Sequence, residues 1–139
     1  MSPGGPGRLR GMHLTGAATV FVPVADQDRA LAFYTGALGF TPGTDFRYAD
    51  GARWLEVIAP GGRLALSLVE GAEPGIELRI ALGTADVEAD HAALGAAAGP
   101  ILREGDPPVR WGGATLAGIP PMFIAHDPDR NSLLIVQQI

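Results

Sequence analysis

Arg79 is the residue whose chemistry is easiest to name. In Glu77-Leu78-Arg79-Ile80-Ala81-Leu82 the alternation of a strand sends Leu78, Ile80 and Leu82 to one face and Glu77, Arg79 and Ala81 to the other. A guanidinium shielded from water needs an anionic partner, because an unpaired buried charge costs on the order of several kcal/mol. Glu77 or Glu56 could supply it as a structural ion pair. The other reading is that Arg79 grips a carboxylate, phosphate or enolate oxygen of a ligand. Trp54 and Glu56 stand two apart and share a face, so Glu56 is the candidate general base if that face lines a cleft and raises its pKa. The register of the hairpin at Pro60-Gly61-Gly62 decides this, and the same question hangs over Asp45 and Arg47. Phe21, Trp54, Trp111 and Phe123 are candidates for an aromatic wall, worth about 0.5–1.5 kcal/mol per stacked pair beyond burial. The alternative is that they are simply core.

Other chemistries are excluded or weakened by what the chain lacks. It has no Cys, so disulfides, thiolate metal sites and a Cys nucleophile are impossible. His13, His91 and His126 do not share one face at ligand spacing, and surface or capping roles are expected for them. Gly61-Gly62 and Gly112-Gly113 do not follow the strand-glycines-helix order of a phosphate loop, and no Ser sits in a nucleophile elbow. A net charge of -5, from 15 acidic and 10 basic residues, argues against nucleic acid as a partner and favours neutral or cationic small molecules. No apolar run is long enough to span a membrane and no secretory signal is recognisable, so no membrane partner and a cytoplasmic location are expected.

The elements that position these residues come in two rounds. Thr19 to Val24 reads as a strand with Val20, Val22 and Val24 on one face and Thr19, Phe21 and Pro23 on the other. Asp26 is placed to cap a helix whose stripe is Ala30, Phe33, Tyr34, Ala37 and Leu38, and Gly39 closes it. Strands are expected over 41–48, 53–59 and 64–70, with turns at Asp50-Gly51 and Pro60-Gly61-Gly62. After a linker at Gly71–Gly75 the pattern returns at a shift of 60: Ala25, Asp26, Ala32, Ala37 and Gly39 meet Ala85, Asp86, Ala92, Ala97 and Gly99. Near the end the shift grows to 68, which a longer segment around 111–121 explains. We read one α+β domain of two βαβββ modules, about 15–72 and 76–139, behind a flexible arm at 1–14. Each sheet packs one face on its helix, and the two other faces are expected to enclose a shared cleft.

Val24-Ala25-Asp26, Ala30-Leu31-Ala32-Phe33-Tyr34 and Leu38-Gly39-Phe40 resemble the opening motif of the glyoxalase/bleomycin-resistance/dioxygenase superfamily, the vicinal oxygen chelate proteins. Asp127-Pro128-Asp129-Arg130-Asn131 resembles its closing Asp-Pro-Asp-Gly-Asn motif, with Arg130 in place of the usual Gly. The resemblance implies the vicinal-oxygen-chelate fold, a homodimer, and in metal-using members four cleft-facing His, Gln or Glu ligands. Carried over by position, those slots fall on Thr19, on Leu66 or Ser67, on Arg79 and on Leu134. None is a competent ligand beyond a weak hydroxyl, and Arg79 repels a divalent cation, so no metal or other cofactor is expected. The expected ligand-binding cleft is therefore Thr19, Phe21, Trp54, Glu56, Arg79, Trp111, Phe123 and Leu134. The expected function is binding or sequestration of a small aromatic or cationic molecule. The alternative is a lyase or oxidoreductase of the glyoxalase or dioxygenase type, with Glu56 as base and Arg79 or a metal as electrophile.

Overall fold

The computed structural model describes residues 11–62, 64–70, 73–97, 99, 101–103 and 120–138. The first module runs β1 (Val20–Val24), α1 (Gln27–Gly36), β2 (Thr41–Arg47), β3 (Arg53–Ile58) and β4 (Ala65–Glu70). Its sheet has the order β1-β4-β3-β2, with β1 parallel to β4 and the remaining pairs antiparallel. The second module runs β5 (Glu77–Thr84), α2 (Val87–Ala96), β6 (Met122–His126) and β7 (Ser132–Gln137), with described strands in the order β5-β7-β6. Here again the module's first and last strands pair in parallel. The long segment expected around 111–121, including Trp111, lies mostly outside the described residues.

The repeat read from the sequence is physical at its caps. Asp26 accepts from Arg29 N and Asp86 from Ala89 N, each at 3.0 Å, so both helices start on the same three-residue reach. Gly39 ends the first helical segment with φ +72°, and Phe40 N turns back to Tyr34 O at 2.9 Å. The packing behind them is unequal. Under α1 lie Tyr34 and Phe33, with Phe40 5.4 Å from the Tyr34 ring, while α2 buries Val87 and Leu94.

The closing motif joins the two modules. Asn131 is fully buried and satisfies all of its amide: Nδ2 donates to Pro23 O (2.7 Å) and Asp127 Oδ2 (2.9 Å), while Oδ1 accepts from Gly75 N and Ile76 N. Asp127 Oδ1 accepts from Asp129 N and Asn131 N, and its Oδ2 accepts from the Tyr34 hydroxyl at 2.8 Å. Asp129 Oδ1 accepts from Ala25 N and from Arg29 Nη2. Burial, and then the Asp127 charge, push the Tyr34 phenol far above its ordinary range. Arg130 has φ +65°, the left-handed backbone that a Gly would adopt freely. His126, for which a surface or capping role is expected from the sequence, is buried at 7% exposure, at the end of the strand that leads into this knot.

Candidate ligand-binding site

On the first sheet the alternation settles which side chains face outward. Leu55 and Val57 are buried against the helix side, so Trp54 and Glu56 project from the opposite face. The register places Phe21, Ser67 and Glu56 in one row across β1, β4 and β3. Pro23 and Val69 are paired further along, and Phe46 pairs with Trp54. Phe21 and Trp54 meet edge to face, with ring centroids 6.1 Å apart and planes at 88°. Phe21 remains 59% exposed, a large apolar side chain turned to open space. Phe21, Trp54, Tyr48, Pro23, Ser67 and Ile76 line a groove of about 560 Å³, and Glu73 stands at its edge.

The polar end of this groove is a short relay. Thr19 Oγ1 and Ser67 Oγ are 2.8 Å apart and hydrogen-bonded, Thr19 Oγ1 donates to Ala65 O, and Ser67 Oγ lies 3.4 Å from Glu56 Oε2. Arg53 also borders the groove, yet its guanidinium is committed elsewhere: Nε and Nη2 donate to Asp45 and Nη1 to Asp28. That grip holds the Asp45 carboxyl below the usual carboxylate range. Asp45 and Arg53 thus answer each other, and the groove keeps a negative balance from Glu56 and Glu73.

The second sheet carries its own groove, of about 400 Å³, bounded by Arg79, Ala81, Ile124, Ser132 and Leu134. The grooves meet along the chain at Ile76 and Glu77, one lining each. Arg79 is exposed and makes no ion pair or hydrogen bond with a described residue, so the structural pairing with Glu77 or Glu56 weighed above is absent. Phe123 departs from expectation too. It is 3% exposed with its ring 5.1 Å from that of His91 on α2, and so belongs to the core beneath the sheet. Its neighbour Ile124 takes the outward position. Trp111 lies outside the described residues.

The metal slots implied by the resemblance can be tested on their donors. Of the two residues left open on β4, Leu66 is buried on the helix side, while Ser67, also buried, is turned to the groove side with Thr19. Two hydroxyls already bonded to each other, with one carboxylate nearby, do not fit the nitrogen- and carboxylate-rich site a divalent transition metal takes. Arg79 and Leu134 stand in the second groove and offer no electron pair to a cation. Among the described residues no three His, Asp or Glu converge at ligand distance. Tyr48, Glu73 and Ile76 line the groove without standing among the cleft residues expected from the sequence, and Phe46 lies beside them, its ring 6.1 Å from that of Tyr48. Phe46 and Tyr48 stand two apart at the end of β2, the spacing of side chains that share a face in extended backbone.

With strand order, caps and closing motif in place, comparison with known families decides the assignment: the model for the Glyoxalase/Bleomycin resistance protein/Dioxygenase superfamily matches residues 13–135. The chain belongs to this superfamily. No curated protein matches it in sequence. Among solved structures it is similar to TnmS3, an antibiotic binding protein from Streptomyces sp. CB03234, at 27% identity and TM-score 0.66, covering 91% of this chain and 100% of that one. A glyoxalase/bleomycin resistance protein, also from Streptomyces sp. CB03234, is 29% identical with TM-score 0.63, over 87% of this chain and 100% of that one. A superfamily member from Sphaerobacter thermophilus DSM 20745 is 25% identical with TM-score 0.70, over 90% and 100%. Like its superfamily, the chain is an α+β protein of two modules, and no described helix is long and apolar enough to cross a membrane.

Proposed function

We propose that this superfamily member is a metal-independent binding protein that holds a planar aromatic molecule of cationic character in the first-module groove. The observation that carries the reading is the Phe21–Trp54 pair, Phe21 exposed and Trp54 half-buried, lining an open, mostly apolar groove of about 560 Å³. Such a pair offers both a ring face and a ring edge, and stacking adds to burial without demanding a defined substituent pattern. Glu73 in its lining and Glu56 beside Ser67 supply negative charge, while Arg53 is neutralised by Asp28 and Asp45, which favours a cation over an anion. Similarity to an antibiotic binding protein supports small-molecule binding as the activity. A homodimer belongs to the same proposal, because β2 is exposed along its whole length as an edge strand and a second copy would cover it.

Proflavine, a planar cationic aromatic, tests the reading against anthraquinone-2-sulfonate, which is planar and anionic. Calorimetric titration should give proflavine the higher affinity, and Trp54→Ala should weaken it by about tenfold, the equivalent of about 1.4 kcal/mol. Equal affinity for both probes, or an unchanged affinity in Trp54→Ala, would refute it.

A further inference from the structure

The groove on the second sheet is a site of different chemistry. Ile80, Ala81, Ile124 and Leu134 give it an aliphatic floor, and Ser132 contributes a hydroxyl. Arg79 borders it with φ +57°, a left-handed backbone that side chains other than Gly resist. The cause lies in the register: Glu77 pairs with Ser132 and the next pair is Ala81 with Leu134, so four residues of β5 are spent against two of β7. An irregularity of this kind re-aims a side chain at a strained backbone position, and such positions concentrate at ligand sites. The guanidinium it presents has no partner among the described residues.

We infer that this groove binds an amphiphilic monoanion, a carboxylate on a small apolar body. Arg79 donates two parallel hydrogen bonds to the carboxylate, the geometry its planar fork matches best. The Ser132 hydroxyl is the further donor within the groove, and the aliphatic floor covers the ligand's body. Glu77 lines the same groove, and its charge opposes a second negative charge, so a monoanion is favoured over a dianionic phosphate ester. The site stands independently of the aromatic groove: the two share no lining residue.

The test is a titration followed by amide chemical shifts, with benzoate as the probe, benzamide as its neutral counterpart and phenyl phosphate as the dianion. Benzoate should bind at least tenfold more tightly than either, shifting amides at 77–81 and 132–134. Arg79→Gly should keep or raise Tm, because Gly accepts the left-handed backbone, while benzoate falls to the level of benzamide. Arg79→Lys should retain part of the preference, having the charge without the fork, and remains informative if the Gly variant folds poorly. Trp54→Ala should leave benzoate binding unchanged, which separates this site from the aromatic one. Equal binding of benzoate and benzamide, shifts confined to other residues, or wild-type benzoate affinity in both Arg79 variants would overturn the inference.

Discussion

The two modules are built alike in their helix caps and strand order and differ where they face outward. Both begin with a strand, an Asp cap and a helix, and in both the first strand lies parallel to the last. Their exposed faces diverge. The first carries Phe21, Trp54 and Tyr48 with Glu56 nearby, while the second carries aliphatic side chains around Arg79. The β1–β4 ladder runs from Val20 to Val24 without interruption, whereas the β5–β7 ladder breaks between Glu77 and Ala81. A duplicated scaffold constrains the residues that cap and pack, because a lost cap or cavity costs stability in either copy. It leaves the outward positions free to acquire separate chemistries.

The two modules depend most heavily on the knot between them. Asn131→Ala removes donors and acceptors from Pro23 O, Gly75 N, Ile76 N and Asp127 together. Leaving several buried groups unpaired should cost about 3–5 kcal/mol in urea denaturation. Next is Tyr34→Phe, expected to cost about 1–3 kcal/mol because Asp127 Oδ2 loses a charge-assisted donor. Its pH signature is specific. The folded phenol holds its proton above the ordinary Tyr value of 10.0, so its contribution is complete below that pH and declines as pH rises beyond it. The variant should lack that alkaline decline, which paired urea titrations at pH 8 and pH 10.5 would measure.

Smaller effects sharpen the likeness between the modules. Asp26→Ala and Asp86→Ala should each cost about 1 kcal/mol and by similar amounts, since both carboxylates accept the same amide at the same distance. A marked inequality, read from the same denaturation curves, would mean that only one cap carries its helix. Arg130→Gly should change stability least, with a gain of up to about 1 kcal/mol from relieving φ +65°.

The shared part of this architecture was legible because it is written in short-range signals. Asp26 and Asp86 sit three residues before the amides they cap, and strand alternation placed Val22 and Val24 in the core. Faces that depend on pairing were not. Trp54 and Glu56 could not be oriented until β3 was registered against β4, and Phe46 and Tyr48 gained meaning only beside Trp54. The aromatic ring of Phe123 suits a cleft wall or the core equally by residue type, and its strand parity puts it in the core against His91. The Arg79 backbone was invisible for another reason. An interrupted ladder arises from two strands about fifty residues apart and leaves no local mark in Glu77–Leu82.

On the function proposed here, the first groove binds its ligand through aromatic surface and carboxylates without a metal. Calorimetric titration of the wild-type chain with proflavine, once in EDTA and once with added Mn²⁺, Ni²⁺ or Zn²⁺, tests it most directly. Metal-independent binding gives the same affinity under every condition. Binding that requires one of the ions, and is abolished by EDTA, would contradict it.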